Sequence, residues 1–297
     1  MLTFPNSKIN IGLRIIQKRP DGFHNLESVF YPIGWSDILE ISDAASLQSS
    51  VQFTTSGLPI SGDPAANLCL KAYHLLQHQF SLPPVNIHLH KVIPMGAGLG
   101  GGSSDAAFTL KLLNAKFKLN LTVNQLLTYA AQLGSDCAFF ISNKPAFATS
   151  KGEVLQPSGI NLDQKQLVVV APNLHSNTAQ AYAHIVPKPA PSNWQTILLH
   201  QPINEWAVTV HNDFEAGLIQ RFPEIAQIKA KLYQLGAAFS AMTGSGTAVY
   251  GIFDTPLAAN IKSHFENCTV WQETLDQQKL DHQVFSPTIN ASDRPTN

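Results

Sequence analysis

The sequence predicts a mixed α/β (α+β) protein, and three observations carry that expectation. Apolar residues alternate with period two in several short runs, while others recur at helical spacing between them. A glycine-rich junction at residues 94–105 joins a strand pattern to a helix pattern. With 297 residues, 44% hydrophobic and 13% charged, the composition is that of a globular chain. That length suits two domains. The boundary is expected near residue 160, giving an N-terminal lobe at 1–160 and a C-terminal lobe at 161–285. Residues 286–297 are polar and expected to fray.

Taken in order, Lys8 to Ile16 alternates as a strand, and Ser28 to Tyr31 forms a second. Arg19-Pro20-Asp21-Gly22-Phe23-His24 between them has the chemistry of a turn. Ala65 to Phe80 places Leu68, Cys69, Ala72, Leu75 and Leu76 on one helical face, and Val85 to Ile93 alternates as a strand. Ser103 to Leu113 is expected to be a helix with a serine N-cap and Asp105 in its first turn. Thr122 and Gln125 form a capping box for a helix that runs to Leu133 and stops at Gly134. Gln166 to Ala171 has the apolar continuity of a buried strand and opens the second half. A helix from Pro223 to Leu235 follows, with Pro223 as its first residue. Strands at Ala237–Met242 and Thr247–Phe253 flank Gly244-Ser245-Gly246.

The stretch Pro94-Met95-Gly96-Ala97-Gly98-Leu99-Gly100-Gly101-Gly102-Ser103-Ser104 carries the functional information. Glycines let backbone approach a ligand closely, and free N–H groups at a helix start attract phosphate oxygens. A nucleoside triphosphate is the expected occupant. The spacing Gly96-x-Gly98-x-x-Gly101 also fits a dinucleotide fingerprint, but that motif belongs in a first βα turn with a carboxylate about 20 residues on. Ala115 to Asn120 has none. A Walker A loop needs a Lys-Ser/Thr pair after its last glycine, and Ser103-Ser104 stand there instead. The protein-kinase motifs are absent.

A net charge of −1 argues against a nucleic-acid surface or an anionic membrane as partner. Cys69, Cys137 and Cys268 are isolated thiols, as in a reducing compartment. The first residues lack a signal-peptide layout, and no apolar run reaches the length of a membrane span. A cytoplasmic location is expected. His74 with His78, and His88 with His90, have no third ligand at a recognisable spacing, so no metal site is assigned.

Phosphoryl transfer needs a group that orients or deprotonates the acceptor hydroxyl. Asp136, in Gly134-Ser135-Asp136-Cys137-Ala138, sits among small and apolar residues where desolvation suits a base; a turn or capping aspartate is the alternative. Lys8 is the matching cation, or else a solvated edge residue.

These segments resemble the GHMP small-molecule kinases. The likeness spans the glycine loop, Ser7-Lys8-Ile9-Asn10, Asp21-Gly22-Phe23-His24, Asn67-Leu68, Gly134-Ser135-Asp136, Asn212-Asp213-Phe214-Glu215 and Met242-Thr243-Gly244-Ser245-Gly246. The loop identifies the superfamily; the turn around His24 points to a member acting on a cytidyl-linked polyol. The resemblance implies a two-lobed fold. Its N-terminal lobe would be like domain 2 of ribosomal protein S5, and its C-terminal lobe ferredoxin-like. It implies transfer of the γ-phosphate of ATP, with Mg²⁺, to a tertiary hydroxyl. Asp136 would then be the base, Lys8 would keep it ionised, and Asn10 would assist at the hydroxyl. ATP would lie on Pro94 through Ser104, with Asn67 near the adenine. His24 would bond the cytosine edge, Phe23 and Tyr182 would stack on its ring, and Gly244, Ser245 and Gly246 would flank phosphates and substrate. The chain departs from the family in Phe23, where tyrosine is frequent, and in Ala138, where proline is frequent. Homoserine or mevalonate kinase activity, or a non-catalytic nucleotide-binding regulator on the same fold, are the rival readings. Oligomeric state is not legible.

Overall fold

In the computed structural model, residues 1–44, 50–176, 178–183, 185–189, 194–257, 260–278 and 280 are described; the tail at 286–297 lies outside them. Strands β1 (Leu2–Thr3), β4 (Ile38–Asp43), β5 (Val51–Gly57) and β6 (Val85–Lys91) form one sheet, ordered β1-β4-β6-β5. Strands β2 (Asn6–Lys18), β3 (His24–Ser36), β7 (Ala146–Thr149) and β8 (Val154–Pro157) form a second, in that order. Helices α1 (Leu68–Phe80), α2 (Gly101–Lys116), α3 (Val123–Leu133) and α4 (Cys137–Ser142) pack over these strands. Their core includes Leu39, Ile41, Ile87, Leu89, Tyr73, Phe108 and Phe139.

The third sheet contains β9 (Gln166–Pro172), β10 (Phe239–Met242), β11 (Val249–Phe253) and β12 (Cys268–Thr274), ordered β10-β11-β9-β12 and antiparallel throughout. That order is ferredoxin-like. Between β9 and β10 lie α5 (Thr178–Ala183), α6 (Trp194–His200), α7 (Trp206–Thr209), α8 (Glu215–Arg221) and α9 (Glu224–Gln234). Strand alternation gives β9 two buried faces. Leu167, Val169 and Ala171 meet Ile9, Ile11 and Tyr31 of the second sheet, while Val168 and Val170 meet Leu218, Ile225 and Leu232 of α8 and α9. Its continuous apolar run follows from that double burial.

Several expectations shift at the edges of elements. The helix after the glycine loop starts at Gly101, not at a serine cap: Gly100 is its N-cap in the left-handed region at φ 72°. Asp105 then lies past the first turn of α2 rather than in it, and is buried. Pro223 caps α9 from outside instead of beginning it. The capping box at Thr122 and Gln125 is present, with α3 ending at Gly134. Among the described residues no helix is long and apolar enough to cross a membrane.

Candidate active site

Alternation along β2 turns Ile9 and Ile11 into the core and leaves Lys8 and Asn10 on the opposite face, where they line a cavity of about 1120 Å³. The Lys8 ammonium is buried. It bonds Asn10 Oδ1, donates to the Gly98 carbonyl at 3.1 Å, and lies 3.7 Å from Asp136 Oδ2. The Phe30 ring flanks it at 5.0 Å from its centroid. Burial pulls the Lys8 pKa below its ordinary value, and the Asp136 carboxylate only partly offsets this. Asp136 stands at the N-terminus of α4 and makes no capping bond there, so its carboxylate stays available to the cavity. Asn10 is held from the far side: Nδ2 donates to Ser28 Oγ at 2.8 Å, and its carbonyl accepts from Tyr250 at 3.0 Å.

Residues Pro94 through Ser103 all line this cavity. Several glycines in the loop, Gly98 and Gly100 among them, are confined by neighbours within the protein. A Cβ on Gly98, where φ is 79°, would stand 2.1 Å from the Thr243 carbonyl oxygen, so loop and C-terminal sheet touch through bare backbone. At Gly100 a Cβ would crowd Phe140 at 3.1 Å and the Lys8 side chain at 3.2 Å. Gly102 differs: a Cβ there meets nothing within 4 Å, although the residue lines the cavity. Its missing side chain leaves room for an occupant.

The Thr243 hydroxyl, legible in the sequence only as part of a motif, joins the halves. It receives the Asn10 N–H at 2.9 Å and donates toward Gly98 O at 3.2 Å. Asn212 Nδ2 donates to the Met242 and Gly244 carbonyls, both at 2.9 Å, and holds the second glycine turn in place. Of that turn, Gly244 and Ser245 line the cavity while Gly246 does not. Ser104 also faces away, fully buried, and the Asn67 side chain caps α1 through the Cys69 N–H at 2.9 Å.

A buried ion cluster beneath the loop escaped sequence reasoning, because its members lie far apart in the chain. Lys91 at the end of β6 bonds Asp37 and also Asp105 Oδ2, the latter at 2.8 Å. Asp37 Oδ1 accepts the Val92 and Ile93 N–H groups at 2.6 and 2.8 Å, which fixes where the loop departs. Burial pushes the Asp105 carboxyl up to about 7 against the pull of Lys91.

At the other end of the cavity the turn before β3 presents Phe23 and His24. Phe23 is 59% exposed, with the Lys151 ammonium 4.9 Å from its ring centroid. His24 is buried, and burial lowers its pKa, so its ring is neutral near pH 7. Tyr182 of α5 stacks on His24 at 5.2 Å rather than standing across an open slot from Phe23. It meets Phe214 edge-on at 4.7 Å. Lys151 and Glu153 also line this region, and neither was singled out from the sequence.

One cavity thus joins a backbone cradle able to hold phosphates, a buried ammonium beside a carboxylate, and an aromatic end with a neutral imidazole. Sequence profiles described as "GHMP kinases N terminal domain" and "GHMP kinases C terminal" match residues 67–144 and 198–268. A protein of Bacteroides fragilis named 4-diphosphocytidyl-2-C-methyl-D-erythritol kinase is 48% identical over 275 residues, covering 93% of this chain and 100% of that protein. A protein of the same name from Cytophaga hutchinsonii is 48% identical over 260 residues, covering 86% of this chain and 93% of the relative. A crystal structure of 4-(cytidine 5'-diphospho)-2C-methyl-D-erythritol kinase superposes with a TM-score of 0.74 at 28% identity, covering 92% of this chain and 98% of that one. The mevalonate kinase of Methanococcus jannaschii shares the fold, with a TM-score of 0.63 at 13% identity over 93% of this chain and 98% of that one.

Proposed function

This chain belongs to the GHMP kinase family, and from that premise we propose the roles of its residues in moving the γ-phosphoryl group of ATP to the 2-hydroxyl of 4-diphosphocytidyl-2-C-methyl-D-erythritol. It is a phosphotransferase with an alcohol group as acceptor. The observation that carries the site assignment is the shared cavity, with Lys8 and Asp136 between the glycine loop and the His24 end. Lys8, residues 94–103 and Asp136 of the N-terminal lobe supply the loop and the charged pair, and Tyr182, Phe214, Gly244 and Ser245 of the C-terminal lobe close the cavity.

Asp136 orients the acceptor hydroxyl and takes its proton as the oxygen attacks phosphorus. Lys8 stands 3.7 Å from Asp136 as its counter-charge, and Asn10 fixes Lys8. The N–H groups of the loop and of the start of α2 cradle the phosphates of ATP. A Mg²⁺ ion bound with those phosphates would supply neutralisation of the charge that develops on them. Ser103, at the start of α2, is the oxygen donor on the cavity wall beside the phosphate cradle that would fit it. Phe23 stacks on cytosine while the neutral His24 reads its edge, and Tyr182 moves off His24 to admit the ring. A cytoplasmic location fits this chemistry.

Gly102→Val tests the phosphate cradle. The valine enters open space, so the protein should fold normally while its ATP affinity falls roughly tenfold to a hundredfold, the effect of overpacking a filled site. Calorimetry against ATP beside a thermal melt reads both. Unchanged affinity would remove the loop from the nucleotide site.

The Lys8–Asp136 pair predicts a pH signature. Since burial lowers the Lys8 pKa, the ammonium is lost as pH rises through a value below the ordinary 10.5. The kcat profile should therefore fall on its alkaline side before 10.5, and that limb should vanish in Lys8→Met. An ATP-consumption assay offering the cytidyl polyol, mevalonate and homoserine in parallel tests the substrate itself, with turnover expected on the first alone.

A further inference from the structure

A second cavity, of about 1090 Å³, lies behind α5 and shares Phe214 with the first. Its wall joins two kinds of chemistry. One part is cationic: Arg14, Lys188, Arg221 and Lys229 face it, against the carboxylates of Asp213 and Glu215. Both carboxylates are already engaged. Asp213 Oδ2 accepts the Ile15 N–H at 2.7 Å, while Glu215 bonds Lys229 and accepts the Met242 N–H at 3.0 Å. Lys188 and Arg221 extend into solvent. Arg14 donates Nη2 to the Thr209 carbonyl at 2.9 Å, and its buried Nε has no hydrogen-bond partner among the described residues. An orphaned guanidinium N–H next to uncompensated positive charge favours an anion.

The other part is apolar. Ala181, Ile185 and Ile219 line it, and Val186 is 76% exposed at its rim. An exposed branched side chain beside a cationic wall suits a ligand with a short hydrocarbon tail.

We propose that this cavity binds an amphiphilic phosphate monoester and that its occupancy is coupled to the cytosine end of the active site. The phosphate meets Arg14 and Lys188, and the tail covers Ile185 and Val186. Coupling runs through α5, which separates the two cavities. Thr178 and Tyr182 line the active-site cavity, and Gln180 and Ala181 line the second. The N-terminal end of α5 is tied to the glycine turn through Thr178 Oγ1 and Ser245 Oγ at 3.0 Å. Tyr182 rests on His24 and Phe214. A ligand packed on Ala181 and Ile185 therefore biases where Tyr182 stands, and Tyr182 must move for the base to enter. The coupling rests on the cytidyl reading of the first cavity; the binding does not.

The test is calorimetric titration of the full chain with n-hexyl phosphate, in saturating ADP so that the phosphate loop is filled. One site is expected. Arg14→Gln and the exposed Lys188→Gln should each weaken it roughly tenfold or more, the loss of a charge-assisted contact. Lys188→Gln should leave kcat unchanged. Inorganic phosphate should bind at least about tenfold more weakly than hexyl phosphate, because it lacks the tail. Repeating the titration with the cytidyl polyol present should change hexyl phosphate affinity about fivefold or more, since coupling is reciprocal. No binding, binding untouched by either substitution, or equal affinity for inorganic phosphate overturns the site. Binding that the cytidyl polyol leaves unchanged overturns the coupling.

Discussion

Asp136→Asn is expected to lower kcat by roughly 10²–10⁴-fold, the range for loss of a general base, while leaving ATP affinity near its starting value. The amide is close to the carboxylate in shape, so packing at the start of α4 is preserved; what disappears is the charge and the capacity to take a proton. Lys8 Nζ, 3.7 Å from Asp136 Oδ2, then loses its counter-charge in a site where burial already disfavours the ammonium. Lys8→Met should slow turnover as well. The double variant should be far less impaired than the product of the two single effects, because the residues act as a unit. Single-turnover kinetics with each variant, beside ATP calorimetry, separates chemistry from binding. Near-normal turnover in Asp136→Asn would take it out of the mechanism.

Preference for the cytidyl substrate over its uridyl analogue is expected to reach roughly 10²-fold or more in kcat/KM, because a buried site that pairs with one edge leaves polar atoms unpaired against another. Cytosine presents a ring nitrogen that accepts and an amine that donates, and uracil reverses both. His24 is buried and neutral, so it offers one donor and one acceptor nitrogen. His24→Ala should shrink the preference toward unity. Phe23→Ala should act differently: the exposed ring contributes stacking worth roughly 1–3 kcal/mol whatever the base, so KM rises for both analogues and their ratio stays. Steady-state assays on the two analogues with each variant decide this. Equal turnover of both analogues by the unsubstituted protein would place specificity outside His24.

Much of this site could be read along the chain, since its chemistry is concentrated in short segments. The glycines at 96–102, the alternation that sets Lys8 and Asn10 on one face of β2, and the small residues around Asp136 each carry their meaning locally. So do the capping box of α3 and the continuous apolar run of β9. Short, weakly patterned strands were illegible. In β12, Cys268–Thr274, and β5, Val51–Gly57, neither apolar period is clean, and both strands are held by pairing with partners distant in sequence.

Local patterning decided which side chains could face a cavity and which had to face a core, because the strand and helix periods are properties of the backbone itself. Tertiary contacts decided the rest. Gly98 is needed because Thr243, well over a hundred residues away, brings its carbonyl against the loop, and Gly102 rather than Gly100 leaves room for an occupant. The Lys91, Asp37 and Asp105 cluster and the seating of Tyr182 on His24 likewise arise from segments that meet only when the chain is folded. Burial then pushes the Asp105 carboxyl up and pulls the His24 imidazole down. Desolvation depends on what surrounds a group from every direction, and a single stretch of sequence specifies only what precedes and follows it.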